Sequence, residues 1–237
     1  MLRRISNTDI KRLVEIIMAV ILLVTVYICS ANIGLMVSGQ DSEESFVIVL
    51  DAGHGGVDPG KVSKSGVKEK DVNLAVALKL RDKLEAEGII VIMTRTEDVG
   101  LYSETDSHKK VADMKNRCEL VNNSDADLLV SIHQNSYQSE SVKGAQVFYY
   151  SLSENGKKLA ENIQGKMVEM LDKTNGRKAK ANDSYYLLLN VKCPAVIVEC
   201  GFLSNISEAV LLAEDSYRDK VAESIKTGIL EYINKLK

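Results

Sequence analysis

Short apolar runs and longer amphipathic segments alternate along most of the chain. The run "FVIVLD" is typical of a buried strand, and the segment from Glu69 to Glu87 carries apolar residues at helical spacing. The run "GIIVIMTR" then predicts a second strand, which the chain enters through Gly88 at the end of the helix. One strand, one helix and a second strand are therefore predicted over the first part of this region.

The same alternation continues after a polar loop from Thr96 to Lys110. A short helix precedes "DADLLVSIH", which predicts a third strand, and "GAQVFYY" predicts a fourth. A helix from Glu154 to Leu171, a strand at "PAVIVEC" and a last helix from about Tyr217 to Leu236 complete the pattern. Strands interleaved with helices in this way predict an α/β domain, with a mostly parallel or mixed central sheet flanked by helices on both faces.

The first 40 residues follow a different pattern. The basic segment "MLRRISNTDIKR" precedes a stretch from Ile16 to Gln40 that contains no charged residue. A basic flank before an apolar core is typical of an export signal or a membrane anchor, and a bilayer span needs about 20 residues. A buried N-terminal helix is the alternative. We therefore divide the chain into a signal peptide or anchor (1–40), a linker (41–45) and a folded domain (46–237), which we expect outside the cytoplasm.

Composition and cysteine content exclude some classes of protein. A chain of 237 residues is long enough for one sizeable domain, and its net charge of -3 argues against nucleic acid as a partner. The exported part would retain Cys118, Cys193 and Cys200, an odd number without a CxxC pair. This pattern favours buried free thiols over a disulfide framework, although it leaves a pairing of Cys193 with Cys200 open.

Several polar residues lie where predicted strands end. His54 follows the first strand, His133 ends the third and Glu199 ends "AVIVE", while Glu69 begins the helix after the glycine-rich loop. Because ligands bind at the carboxyl ends of strands in open α/β sheets, we expect these side chains to lie at one edge. Two histidines and a carboxylate are typical of a catalytic zinc site, although each histidine alone could be structural. His108, in a polar loop, is predicted to be solvated.

A family resemblance supports the predicted zinc site. The segments "VIVLDAGHGGVDPG", "KEKDVNLAVALKL", "TRTED", "NRCELVNNSDADLLVSIHQNS", "GAQVFYY" and "CPAVIVECGFLSN" resemble, in this order, the zinc-dependent N-acetylmuramoyl-L-alanine amidases of the type-3 family. The resemblance implies that His54, Glu69 and His133 bind Zn²⁺ and that Glu199 is catalytic. It also implies hydrolysis of the amide bond between N-acetylmuramic acid and L-alanine in peptidoglycan.

Other residues near these motifs leave alternatives open. Gln134 and Lys61 replace the small residues usual at those positions, and both could line the cleft and change substrate preference. Asp51 could orient a metal-binding imidazole or cap the loop at the strand end. Arg95 could hold an acidic stem peptide or pair within the fold, and for Arg117 we favour pairing within the fold.

The domain carries no repeat of the kind that binds cell walls. A small, anchored member without such repeats resembles the amidases that act on spore-cortex peptidoglycan. This resemblance implies muramic-lactam formation with a partner deacetylase in support of germination, in the cortex or the intermembrane space. The expected partners are peptidoglycan, the membrane through the N-terminal segment, and an activating or localising protein.

Three other functions remain as alternatives. A zinc peptidase that cuts within the stem peptide would need the same ligands and the same Glu199. A non-catalytic peptidoglycan-binding module would be expected to lack Glu199 or a ligand. A structural membrane protein could use the domain as a docking surface, but this leaves the metal-binding set unexplained.

Overall fold

The computed structural model describes residues 16–25 and 46–236. The chain divides into two compact units, Met1–Glu44 and Ser45–Lys237. In the first unit, residues 16–25 form a helix, α1. The rest of the predicted signal or anchor and the predicted linker lie outside the described residues, so those assignments stay predictions. Across the two described ranges, no helix combines the length and the apolar character that crossing a membrane requires.

The second unit alternates strands and helices, as the hydrophobic pattern predicts. Its elements in chain order are β1 (Val47–Ala52), α2 (Glu69–Glu85), β2 (Ile90–Met93), α3 (Lys109–Asn122), β3 (Leu128–Asn135), β4 (Gln146–Tyr149), α4 (Glu154–Met170), β5 (Lys180–Ala181), α5 (Tyr186–Asn190), β6 (Ala195–Phe202), α6 (Ile206–Ala213) and α7 (Asp215–Asn234).

These strands form one six-stranded sheet in the order β2-β1-β3-β6-β4-β5. Strand β1 runs parallel to β2 and β3, and β3 runs parallel to β6. Strand β4 is antiparallel to β6, and the short β5 is parallel to β4. The predicted mixed sheet is confirmed, and three neighbouring parallel strands, β1, β3 and β6, form its centre.

Alternate residues of the central strands face two separate apolar cores, because successive side chains of a strand point to opposite faces. Ile48 and Leu50 face a core that is shared with α2, α4 and α7. Val49 and Leu129 face a second core, which is shared with α3 and α5. The sheet is therefore covered by helices on both faces, as predicted.

Three elements were not predicted from the hydrophobic pattern: β5, α5 and α6. Strand β5 has two residues and α5 has five, too few for a periodic signal. Helix α6 has eight residues and leaves Ile206 and Val210 exposed, so its apolar positions do not form a single buried stripe. It begins instead at a local signal, since the side chain of Asn205 accepts a hydrogen bond from the backbone N–H of Glu208.

The cysteines of the described residues are free, as favoured from the sequence. Cys118 and Cys200 are buried and Cys193 is half-buried. Burial raises the pKa of the Cys118 and Cys193 thiols to about 11 in each case, so both stay protonated at neutral pH. The pairing of Cys193 with Cys200 that the sequence left open is absent from the structure.

Candidate metal centre

The loop after β1 places His54 in an unusual backbone conformation. His54 has a φ of 62°, in the left-handed region that few residues other than glycine adopt. Gly55 and Gly56 follow with φ of 134° and 57°, and the backbones of Gly55 and Asp58 bond to each other in both directions. This tight turn directs the imidazole of His54 back toward the end of the sheet.

Glu69 is the first residue of α2, and its carboxylate is buried and fixed by backbone groups. The N–H of Lys61 donates to Oε2 at 2.8 Å, and the N–H of Gln134 donates to Oε1 at 3.1 Å. The loop before α2 and strand β3 therefore hold the carboxylate from two sides. Burial alone would raise the pKa of Glu69, but hydrogen bonds from His133 and His54 outweigh it and hold that pKa well below its ordinary value.

His54, Glu69 and His133 converge on one point. Oε1 of Glu69 lies 3.2 Å from Nε2 of His54 and 3.0 Å from Nδ1 of His133. One potential ligand atom from each residue lies within 4.8 Å of the other two. Two imidazole nitrogens and a carboxylate oxygen are a donor set that suits Zn²⁺ and leaves a fourth position open.

Two glycines leave the space that these side chains occupy. A Cβ added to Gly53 would lie 2.3 Å from the imidazole of His133. A Cβ added to Gly60 would lie 2.6 Å from Oε2 of Glu69, at a residue whose φ of 65° also favours glycine. The glycine-rich loop therefore fits around the three side chains closely enough to exclude a methyl group.

Asp58 supports the imidazole of His54, a role that the sequence analysis missed. Oδ2 of Asp58 lies 2.9 Å from Nδ1 of His54, and Oδ1 lies 2.9 Å from Nζ of Lys110. A carboxylate on the second ring nitrogen fixes the tautomer and orientation of a metal-binding histidine. The sequence feature that could have predicted this contact is an acidic residue four positions after the histidine, beyond the two glycines of the turn.

Asp51 has neither of the two roles considered from the sequence. It is buried and accepts hydrogen bonds from Arg117, from Thr94 at 2.8 Å and from Ser131 at 2.6 Å. Burial alone would raise its pKa, but the charges of Arg117 and His133 and the hydrogen bonds from Ser131 and Arg117 together outweigh burial and bring the pKa of Asp51 to about 2. Asp51 therefore anchors an arginine, and no imidazole of the described residues donates a hydrogen bond to it.

Two buried arginines hold the backbone of the loop that carries His54. Arg117 pairs with Asp51 and Asp113, so the structural pairing favoured for it is confirmed. Arg95 donates to the carbonyl groups of Ala52, Gly53, Glu97 and Lys70, and so binds backbone oxygens instead of a carboxylate. Both guanidinium groups therefore form their hydrogen bonds within the domain.

Glu199 lies on β6, directly across from His133 on β3. Both strands continue beyond these residues, to Phe202 and Asn135, so neither residue ends its strand as the sequence analysis expected. The residue Glu199 is 7% exposed, and burial raises the pKa of its carboxyl to about 7, with the charge of His133 opposing the shift and that of Glu69 adding to it. Glu199 stands outside the group of three potential ligands.

A cavity of about 230 Å³ opens above these side chains. Apolar and aromatic residues share its walls with the polar groups, and its lining is Asp51, Gly53, His54, Gly55, Val57, Asp58, Tyr102, Lys110, Asp113, Met114, Arg117, His133, Tyr185, Tyr186, Leu187, Ile197 and Glu199.

Gln134 and Lys61 are absent from this lining. Gln134 is buried and donates to Asn73, and Lys61 contributes its backbone N–H to Glu69, so neither lines this cavity. His108 is exposed, as predicted.

Comparison with known proteins identifies the family. Residues 48–231 match the N-acetylmuramoyl-L-alanine amidase family Amidase_3. The chain belongs to this family. It is therefore an N-acetylmuramoyl-L-alanine amidase, which confirms the resemblance noted from the sequence.

Individual relatives agree with this assignment. The germination-specific N-acetylmuramoyl-L-alanine amidase of Bacillus subtilis is 46% identical over 189 residues, which cover 78% of this chain and 79% of that protein. The amidase LytC of the same organism is 35% identical over 78% of this chain and 35% of its own length. The CwlD amidase of Clostridioides difficile, solved in complex with the GerS lipoprotein, matches with a TM-score of 0.79 and 43% identity over 81% of this chain and 100% of that chain.

Proposed function

We propose that this amidase depends on zinc, with His54, Glu69 and His133 as ligands and Glu199 as the proton-transfer group. The observation that carries the proposal is the convergence of three ligand atoms within 4.8 Å, beside a buried carboxylate that is not one of them. The bond to be hydrolysed joins the lactyl group of N-acetylmuramic acid to L-alanine. The proposal thus assigns one carboxylate, Glu69, as a metal ligand and another, Glu199, as the base.

Glu69 and Asp58 have different roles around the proposed metal, and their contacts support both. Glu69 supplies a fixed negative charge, because backbone N–H groups hold both of its oxygens. Asp58 orients His54, so that Nε2 of His54 faces Glu69 while Nδ1 is occupied. His54, Glu69 and His133 would hold the zinc, which would supply Lewis-acid chemistry to polarise the amide carbonyl and lower the pKa of a water molecule.

Glu199 would move the protons of the reaction. As a base it accepts a proton from the attacking water, and as an acid it then delivers that proton to the leaving amine of L-alanine. Both steps are efficient when the pKa lies near the working pH, and burial raises the pKa of Glu199 to about 7. The cavity brings this carboxylate and the two histidines to the same space.

We also propose that the chain acts on spore-cortex peptidoglycan outside the cytoplasm and supports germination. The name of the Bacillus subtilis relative supports this role, since that protein is a germination-specific amidase. The product would then be available for muramic-lactam formation by a partner deacetylase. The CwlD amidase binds a lipoprotein, which supports a protein partner for this chain. Delivery would depend on the N-terminal segment as signal or anchor.

The test is mass spectrometry of peptidoglycan digested by the purified full-length chain, after metal removal and after zinc is restored. The proposal predicts free lactyl ends on muramic acid and free L-alanine amines, in the zinc-restored sample and not in the metal-free one. New ends within the stem peptide would instead identify a zinc peptidase. Equal activity in both samples would contradict the zinc assignment.

A further inference from the structure

Among the described residues, one carboxylate oxygen of Glu199 has a hydrogen-bond partner and the other has none. The phenol oxygen of Tyr185 lies 3.3 Å from Oε1 of Glu199, and the O–H donates to the carboxylate. The second oxygen, Oε2, is buried and has no partner within residues 16–25 and 46–236. An unpartnered buried carboxylate oxygen is costly, and it is expected where a reacting molecule binds.

Tyr185 is itself held in place from two directions. Its backbone N–H donates to Oδ1 of Asn182 at 3.1 Å, at the point where α5 begins. Its ring packs edge-on against Phe148 of β4, with the ring centroids 5.6 Å apart. The phenol therefore reaches Glu199 from a fixed position beside β6.

A single donor on one oxygen has a specific consequence for this side chain. The terminal torsion of a glutamate is broad and nearly two-fold, so an unrestrained carboxylate exchanges its two oxygens. A donor on Oε1 restrains that rotation and leaves Oε2 as the oxygen without a partner among the described residues. Burial raises the pKa of Tyr185, and the charge of Glu199 adds to this, so the phenol keeps its proton at neutral pH.

We propose that Tyr185 is a positioning residue for the amidase reaction, which holds Oε1 of Glu199 so that Oε2 exchanges protons with water and the leaving amine. The inference rests on the proposed role of Glu199. Tyr185 contacts Glu199 and belongs to neither the metal-binding group nor the loop that carries His54. Its loss is therefore expected to slow turnover without releasing zinc.

The test compares Tyr185→Phe with the matched control Tyr150→Phe in the full-length, zinc-loaded chain. Phenylalanine keeps the ring that packs on Phe148, and Tyr150 borders the same apolar core as Tyr185. On a soluble glycan fragment with the muramoyl-L-alanine bond, Tyr185→Phe should lower kcat by about 10- to 100-fold, the value of a hydrogen bond to a charged group. KM, zinc content and thermal unfolding should not change, and Tyr150→Phe should match the wild type.

A double-mutant cycle separates positioning from a general structural effect. In a Glu199→Ala background, Tyr185→Phe should have no further effect on the residual rate, because the group that it positions is gone. An equal loss in both backgrounds, or full kcat in Tyr185→Phe alone, would overturn the inference while the wild type remains an active zinc amidase. A zinc-loaded wild type that releases no lactyl ends would overturn the proposed function itself.

Discussion

The guanidinium of Arg117 donates a hydrogen bond to the backbone carbonyl of His54, with Nη2 and the oxygen 2.8 Å apart. The same guanidinium pairs with Asp51 at the end of β1. One buried cation therefore joins the loop that carries a candidate ligand to the centre of the sheet. Because His54 adopts a left-handed conformation, this bond offsets part of the cost of the turn.

The pairing of Asp51 with Arg117 predicts a large stability effect. Asp51→Asn leaves a buried guanidinium without one of its two anionic partners, and should lower the free energy of unfolding by about 3 kcal/mol. The pKa of Asp51 lies at about 2, below its ordinary value of 3.8. This group therefore stabilises the wild type above about pH 4, and that contribution is lost as the pH falls toward about 2.

Urea unfolding across this pH range checks the prediction. The matched control is Asp82→Asn, at an exposed carboxylate paired only on the surface of α2, which should change stability by less than about 0.5 kcal/mol. Equal effects of the two substitutions would show that the buried pair does not stabilise the fold.

The close approach of Gly53 to His133 predicts that a single methyl group disturbs metal binding. In Gly53→Ala the new Cβ would lie 2.3 Å from the imidazole, so the ring must move. Zinc affinity should fall by at least about 10-fold. Gly176→Ala is the control, because nothing lies within 4 Å of a Cβ there. Zinc titration against a competing chelator measures both, and equal affinities would contradict the prediction.

The contact between Asp58 and His54 predicts a loss of metal affinity when the carboxylate is removed. Asp58→Ala frees Nδ1 of His54, and zinc affinity should fall by about 10- to 100-fold. Asp219→Ala is the control, since this half-exposed residue pairs with Lys83 on α2. The same chelator titration applies. An unchanged dissociation constant in Asp58→Ala would mean that His54 is oriented by its backbone alone.

Much of the site could be predicted from sequence because strand order brings distant residues together in a regular way. His54, His133 and Glu199 lie on or just after neighbouring parallel strands, so a rule based on strand ends brings them to one edge although β3 and β6 continue past His133 and Glu199. The three partners of Asp51, which lie 43, 66 and 80 residues away in the chain, could not be predicted from strand order alone. Their pairing depends on side-chain directions within the core under α3.

The contacts of Asp58 with His54 and of Tyr185 with Glu199 could not be predicted from the sequence, for different reasons. Asp58 reaches His54 only because a left-handed turn folds the chain back on itself, a geometry that depends on φ at several residues. Tyr185 lies next to a five-residue helix that has no periodic signal. Local conformation, more than the hydrophobic pattern, determined both contacts.

The separation of roles between Glu69 and Glu199 predicts distinct variants. Glu199→Gln should keep its zinc, because Glu199 is assigned as a base and not a ligand, while kcat falls by about 10² to 10⁴. Glu69→Gln should lose zinc and activity together, since it removes a charged ligand. Zinc content and turnover are measured on the same samples. Loss of zinc in Glu199→Gln would require the roles of the two carboxylates to be exchanged.

The most direct test of the metal assignment is an anomalous difference map from a crystal of the zinc-loaded chain, recorded at the zinc absorption edge. The account predicts one peak in the catalytic domain, bonded to Nε2 of His54, an oxygen of Glu69 and Nδ1 of His133 at about 2.0 to 2.2 Å. Glu199 should stand beside the metal without bonding to it. A peak bonded to Glu199 in place of Glu69, or no peak between the two histidines, would contradict the account.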